Sequence, residues 1–171
     1  MHPAQNVPLV RPSAARGAML NLVIADDLRA NSPSDVFAKL RADATWNSYG
    51  DAQLWDAVAS AYKRAAGDDA IARGQKLYAR DCAACHGESG KGNGPAGRNL
   101  PGRAAMDATM KRGPADFTDA SQMLGASDVL LQGKIVRGGM GTGMPEWRTL
   151  YTDQEMWDVI SFLRSFVFEY K

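Results

Sequence analysis

Apolar residues recur at helical spacing near the C-terminus of the chain. They follow one another at intervals of three or four positions: Met156, Ile160, Leu163 and Val167. This spacing places them on one face of a helix, the face that is expected to enter the core. Thr152 and Glu155 have the spacing of a capping box, so the helix is predicted to begin beside Thr152.

A second amphipathic pattern lies in the N-terminal third of the chain. Its apolar face consists of Leu54, Val58, Ala61 and Tyr62. Ser32 followed by Pro33 is typical of the cap and first turn of an earlier helix. We therefore predict a helical extension over residues 31–66, and we expect the proline-containing residues 1–30 to form an N-terminal arm.

Glycine and proline interrupt every regular pattern between residues 87 and 114, which predicts a long region of loops. Beyond it, Ser127 and Asp128 are typical of a helix start and predict a short helix over about 129–137. The patterns together indicate an all-α chain in which the helices alone bury little apolar area in the middle.

Composition limits the number of domains and the classes of partner. The chain has 171 residues, of which 45% are hydrophobic and 23% charged, with 20 basic against 19 acidic side chains. These values are typical of one soluble globular domain with an extension, and they disfavour disorder and nucleic-acid binding driven by bulk charge. The longest apolar run, residues 19–25, is much shorter than the roughly 20 residues that cross a bilayer.

Cys82, Cys85 and His86 form a C-x-x-C-H sequence, and the chain contains no other cysteine. This string is typical of c-type haem attachment. Two thiols at this spacing on a helical turn reach the two vinyl groups of one porphyrin and form thioethers, and the adjacent imidazole then meets the iron. We therefore predict one covalent haem c with His86 as an axial ligand. Its flat apolar surface would supply the buried area that the loop-rich middle lacks.

Three other interpretations of the cysteine pair remain open. A disulfide would close too short a loop to stabilise the fold much, and it gives no role to His86. A thioredoxin-like redox pair needs a βαβ pattern, whereas the flanking sequence is rich in alanine and glycine. A zinc site needs a fourth ligand, and the remaining histidine is His2 in the N-terminal arm.

Met144 is the expected sixth ligand of the iron, because a thioether suits this position when no further histidine lies in the body of the chain. It lies in the sequence Gly-Thr-Gly-Met-Pro-Glu-Trp, residues 141–147, where small residues let the backbone approach the porphyrin. Met140, also flanked by glycine, is the main competitor. The other candidates are expected in the core or on the surface: Met106, Met110, Met123 and Met156.

In these features, residues 70–168 resemble the class I c-type cytochromes. The sequence from Ile71 to Cys85 looks like the first helix of that family running into the haem motif, and residues 141–147 are similar to its methionine loop. The resemblance implies a cytochrome c fold, with three core helices around a covalent haem, over a monohaem domain at residues 67–171. It also implies that Trp157 crosses the first helix beside Gly74.

Two finer features follow from the same resemblance. Residues 114–118 resemble a segment that lies along the haem in bacterial members, although a plain turn with one buried Phe117 explains them equally well. Arg137 and Trp147 are candidates for hydrogen bonds to the haem propionates.

The extension contains short matches to the second half of the chain. The residues from Ser34 to Phe37 look like those from Ser127 to Leu130, and the Trp-Asp pair at Trp55 looks like the one at Trp157. This similarity predicts that residues 31–66 are a degenerate, haem-free cytochrome half from which the methionine loop is missing. An unrelated pair of amphipathic helices is the alternative.

We expect an electron carrier rather than an enzyme, because iron with nitrogen and sulfur axial ligands has no open position for oxygen or peroxide. Redox proteins are its expected partners. One alternative is a fixed cytochrome c subunit of a larger membrane-associated respiratory or photosynthetic complex. The other is a haem enzyme or gas sensor with a labile sixth ligand.

Haem attachment in the resembled family takes place after export, which predicts a periplasmic location or another site outside the cytoplasmic membrane. The chain begins without the basic and apolar pattern of a secretory signal. We therefore expect that a signal or an N-terminal anchor was removed, and that any membrane association depends on that anchor or on a partner.

Overall fold

The computed structural model describes residues 6–21, 23–24, 27–99, 113–139 and 142–171. Within these ranges the chain is helical, without β-strands apart from an isolated bridge between Ser13 and Glu169. The helices are α1 (Ala14–Ala18), α2 (Pro33–Ala42), α3 (Asp51–Ala66), α4 (Asp68–Leu77), α5 (Ala83–His86), α6 (Ala120–Leu124), α7 (Asp128–Arg137) and α8 (Asp153–Leu163). The predicted all-α architecture is confirmed for these residues. In the described ranges, no helix has the length and hydropathy needed to cross a membrane.

The last helix, α8, begins where the capping box predicts. The Thr152 hydroxyl accepts from the Glu155 backbone N–H at 3.2 Å, and the Glu155 carboxylate accepts from the Thr152 N–H at 2.8 Å. The apolar face of this segment is buried, with exposed fractions between 1% and 4% at Met156, Ile160, Leu163 and Val167. This face therefore forms part of the core.

Helices α4 and α8 cross at a glycine. A methyl group at Gly74 would overlap the backbone carbonyl of Asp158, so only glycine allows this approach. The side chain beside the glycine is Phe162, which corrects the prediction that Trp157 fills this space. Trp157 instead lies under the Arg29 guanidinium, 4.4 Å from the ring centroid. It therefore faces the extension, because Trp157 and Phe162 project from different sides of α8.

An ion pair stabilises the same crossing of α4 and α8. Arg73 Nε lies 2.6 Å from Asp158 Oδ2, and its Nη2 donates to the other carboxylate oxygen at 3.1 Å. The Asp158 side chain is 2% exposed, so the bidentate arginine supplies the charge that its burial requires.

Helices α1 and α3 repeat this crossing in the extension. A methyl group at Gly17 would overlap the backbone carbonyl of Asp56. Arg16 donates to Asp56 through Nε at 2.8 Å and through Nη2 at 3.0 Å. The sequence Ala-Arg-Gly thus occurs at residues 15–17 and again at 72–74, and each copy meets the aspartate of a Trp-Asp pair. The helix α1 lies inside the segment 1–30, for which the sequence predicted an arm.

The short helices α2 and α7 also correspond, in a register that the structure shifts by two residues from the sequence match. Ser32 caps α2 and Ser127 caps α7, whereas Ser34 lies inside its helix. Counted from the caps, the buried Val36 matches the buried Leu131, and Leu40 matches Ile135. The cap positions define the register because both serines accept the backbone N–H three residues later.

The two halves meet at equivalent positions of α3 and α8. Tyr62 and Arg164 each lie six residues after the matched aspartate, and the Arg164 guanidinium carbon lies 5.3 Å from the Tyr62 ring centroid. Arg164 is 1% exposed and donates to the Asp128 carboxylate at 2.8 Å and to the Ala126 carbonyl at 2.6 Å. Residues at matching positions of α3 and α8 therefore contact each other.

Candidate functional site

The cysteine sequence lies on a continuous helical path. Helix α4 passes through a wider turn at Tyr78–Cys82 into α5, which ends at His86. Gly87, with φ of 80°, then reverses the chain in a conformation that favours glycine. The backbone N–H groups of Gly92 and Gly94 donate to the carbonyls of His86 and Cys85 at 2.8 and 3.1 Å. These two hydrogen bonds hold the end of α5 against the glycine-rich segment that follows it.

The His86 imidazole is oriented by residues 114–118. Its Nδ1 lies 3.1 Å from the Ala115 carbonyl oxygen, an acceptor, so Nδ1 carries the proton and Nε2 keeps its lone pair. The Phe117 ring stacks on the imidazole with centroids 4.6 Å apart. Burial lowers the pKa of His86, although the hydrogen bond to Ala115 opposes this effect. A neutral, oriented imidazole suits an axial ligand.

One cavity brings most of the predicted haem residues together. It is lined by Cys82, His86, Met144 and Trp147, which come from separate parts of the sequence. Apolar side chains of α7 and α8 complete the wall: Ile135, Val159 and Leu163. Two sulfur-containing side chains and an imidazole around an apolar space form a donor set that fits a covalently attached haem.

The surroundings of the thiols argue against a redox-active cysteine pair. Burial, with the charges of Asp81 and Cys85, raises the pKa of Cys82 to about 12, so its nucleophilic thiolate is disfavoured. Cys82 and Cys85 are not joined to each other. Within the described ranges, no three His, Cys, Asp or Glu side chains cluster in a way that could hold a metal ion, so a zinc set is not assembled there.

The remaining predicted residues lie at different distances from this cavity. Arg137 is exposed at the end of α7, where its Nε donates to the Gly133 carbonyl at 3.0 Å. Met123 and Met156 are buried in the core, as expected from their sequence context. The described ranges do not include His2, Met106, Met110 or Met140.

Tyr151, which the sequence did not predict as a site residue, is 6% exposed and lines the same cavity. Its ring lies 5.1 Å from that of Trp147, and its hydroxyl donates to the Asp81 carboxylate at 2.5 Å. The available signal was an aromatic residue four positions after Trp147 and directly before the Thr152 cap. Tyr78 completes the aromatic part of the wall. It is buried, and its hydroxyl donates a hydrogen bond to the Gly87 carbonyl at 2.7 Å.

Comparisons with known proteins place this site in a family. No curated protein matches the chain. Among solved structures, the chain is similar to one from Kuenenia stuttgartiensis described as the "reducing HAO-like protein complex Kustc0457/Kustc0458". The identity is 20% and the TM-score 0.49, with 80% of this chain and 72% of that chain covered. The family model described as "Cytochrome c" matches residues 71–166, which is more than half of the chain and includes the cysteine sequence and Met144. The chain therefore belongs to the cytochrome c family.

Proposed function

We propose that this protein carries single electrons between redox partners through one haem c. Cys82 and Cys85 would hold the haem as thioethers, and His86 and Met144 would be its axial ligands. The observation that carries this proposal is the shared cavity, because residues separated by 58 positions in the sequence, His86 and Met144, line the same apolar space.

The surrounding residues suit electron transfer better than catalysis. Haem iron held by an imidazole and a thioether changes oxidation state without an open coordination position, and the thioether favours the ferrous state. Ala115 keeps the proton on Nδ1 of His86, so the ring presents Nε2. Ile135, Val159 and Leu163 give the site an apolar wall, and apolar surroundings favour a high reduction potential of a haem.

We assign the propionate contacts to Trp147 and Arg137, as the sequence predicted. Trp147 supports this assignment, because it lines the cavity and carries an indole N–H donor. Arg137 lies at the end of α7, the helix that contributes Ile135 to the wall.

The proposal is tested by the mass and the spectrum of the protein produced in a host able to attach c-type haem. The denaturing mass should correspond to the chain plus one haem. Met144→Ala should retain the haem but convert the iron to a high-spin or water-bound form, because a methyl group cannot ligate. Met19→Ala is the matched control, since Met19 is 83% exposed and lies at the end of α1.

Other results would contradict specific parts of the proposal. An unchanged Met144→Ala spectrum would assign the sixth position to another residue, with Met140 as the first to test. Rapid tight binding of cyanide or carbon monoxide at neutral pH would favour the haem enzyme or gas sensor. Elution of the native protein only with other chains would favour a fixed subunit of a larger complex.

We also place the working protein outside the cytoplasmic membrane, with redox proteins as its partners. The support is the C-x-x-C-H attachment sequence, because haem is joined to such cysteines after export in the family to which the chain belongs. Fractionation of native cells should find the haem-stained chain outside the cytoplasm, and haem-loaded protein in the cytoplasmic fraction would contradict this location.

We infer that the extension is a second, haem-free copy of the same fold, and that it includes α1 as well as residues 31–66. Three corresponding features support this inference. The glycine crossing and its ion pair recur at Gly17 and Gly74. Serine caps start α2 and α7. A short turn with paired aromatic rings precedes the last helix of each half, with centroids 6.1 Å apart at Trp46 and Tyr49.

This copy lacks a cysteine sequence and a methionine loop, so its role would be structural. It covers the outer side of α8, where Tyr62 lies against Arg164, and Arg29 in the connection between α1 and α2 lies over Trp157. In a crystal structure of the haem-loaded protein, α1, α2 and α3 should superpose on α4, α7 and α8 with the same order and directions. Failure of two of the three helices to superpose together would contradict the inference.

A further inference from the structure

A long-range hydrogen bond joins the turn after the methionine loop to the cysteine turn. The Tyr151 hydroxyl donates to Oδ2 of Asp81 at 2.5 Å, across 70 positions of the sequence. Asp81 directly precedes Cys82, and Tyr151 lies seven residues after Met144. The bond therefore connects the two segments that carry the proposed haem attachment and the proposed sixth ligand.

Both partners of this bond are fixed in geometry and in protonation. Arg80 Nε donates to the same Asp81 oxygen at 2.8 Å, and the Asp81 side chain is 21% exposed. This arginine holds the pKa of Asp81 below its usual value, and burial raises the pKa of Tyr151. At neutral pH the acceptor is charged and the donor keeps its proton, which gives a strong, short hydrogen bond.

Among the described residues, the other hydrogen bonds of the methionine segment are local. The Gly139 N–H donates to the Met144 carbonyl at 3.0 Å, and the Tyr151 N–H donates to the Trp147 carbonyl at 2.9 Å. These hydrogen bonds connect residues that are close in sequence, so they do not attach the segment to the cysteine turn. The Tyr151 ring also packs on Trp147, so movement of Tyr151 would be transmitted to the cavity wall.

We propose that Tyr151 and Asp81 act as a latch that holds residues 142–151 against the cavity, which makes Tyr151 a positioning residue for the Met144 ligand. This inference rests on the proposed function, since it requires Met144 at the sixth position. Release of the latch should let the methionine leave the iron more often without loss of the haem or of the fold.

Tyr151→Phe in the haem-loaded protein tests the latch directly, because it removes the hydroxyl and leaves the ring on Trp147. Cyanide binding to the ferric protein should become roughly tenfold faster, the factor expected for the loss of one hydrogen bond of ordinary net strength. Amide hydrogens of residues 142–150 should exchange faster, while far-ultraviolet circular dichroism stays unchanged. Tyr49→Phe, at the corresponding turn of the extension, is the matched control and should change neither rate.

Asp81→Ala removes the acceptor from the other side and should accelerate cyanide binding in the same way. The double variant should bind cyanide no faster than the faster single variant, because both changes break one interaction. A cyanide-binding rate of Tyr151→Phe within twofold of that of the unaltered protein would overturn the latch. A rate of the double variant raised by the product of the two single-variant factors would also overturn it. Failure of the underlying ligand assignment has a separate sign, an unchanged Met144→Ala spectrum.

Discussion

The extension and the haem half use the same pair of helix contacts but fill the space beside them differently. In the extension, Phe37 and Trp55 stack with centroids 4.5 Å apart, and both are 2% exposed. In the other half, the corresponding Trp157 is only partly buried, and the cavity lined by Cys82, His86 and Met144 lies beside the cysteine turn. The space beside the two crossed helices can therefore be filled either by aromatic side chains or by a cofactor.

This difference also explains how the loops are distributed. Only eight residues connect α2 to α3 in the extension, whereas a long glycine-rich segment connects α5 to α6 in the haem half. Loops contribute little buried apolar area of their own, so a region built from them needs another apolar body in its centre. We therefore expect the two halves to respond differently to the loss of haem.

Replacing Cys82 and Cys85 together by alanine should have the largest effect. The chain would lack covalent haem, and the half from residue 67 onward should lose most of its fixed tertiary structure. Hydrogen exchange measured by mass spectrometry should show fast exchange in α7 and slower exchange in α3, which keeps its aromatic core. Equal protection of both helices would show that the cofactor contributes little to the fold.

Trp55→Ala should destabilise the protein more than Trp157→Ala. Removal of a fully buried aromatic side chain typically costs about 3–5 kcal/mol, and the partly buried Trp157 should cost less. Urea unfolding of the haem-loaded variants measures both free energies. A larger loss for Trp157→Ala would contradict the view that Trp55 completes the core of the extension.

Gly17→Ala and Gly74→Ala should each reduce the free energy of unfolding, by about 1–3 kcal/mol, because the added methyl group meets a backbone carbonyl of the facing helix. The haem absorption spectrum should change only in Gly74→Ala, since α4 leads into the cysteine turn. Thermal unfolding followed at a haem band and by circular dichroism separates the two effects. If Gly17→Ala left the free energy of unfolding unchanged, the two helix crossings would not be equivalent.

Ser32→Ala and Ser127→Ala should have the smallest effects, about 1 kcal/mol each, because each removes one side-chain cap of a helix. Similar losses in chemical denaturation would support equivalent roles for the two serines. Ser34→Ala is a control inside α2 and should be close to neutral. A larger loss of stability for Ser34→Ala than for Ser32→Ala would support the register in which Ser34, and not Ser32, matches Ser127.

Much of the frame could be predicted from local sequence. The capping box at Thr152, the cap at Ser127 and the apolar face of α8 occur where the sequence predicts them. These features depend on neighbouring residues, so the sequence contains their physical causes. The two Ala-Arg-Gly sequences, by contrast, do not predict a helix crossing by themselves, because their role depends on the aspartate that each one contacts.

The contacts of single side chains could not be predicted in this way. The sequence suggested Trp157 beside Gly74, but the direction in which each residue leaves α8 brings Phe162 there instead. Tyr151 gave no strong sequence signal, because its role arises from Asp81, 70 positions away. Such pairings depend on how the helices pack and not on the residues next to either partner.

The sequence by itself determined that the chain is helical and carries a haem attachment sequence, since helix periodicity, caps and the C-x-x-C-H spacing are all local. Only the tertiary structure decided that Met144, Trp147 and Tyr151 line the cavity of His86, and that α1 belongs to a second glycine crossing. The physical reason is that these contacts join segments distant in the chain, and the packing of α1 on α3 and of α4 on α8 fixes where those segments meet.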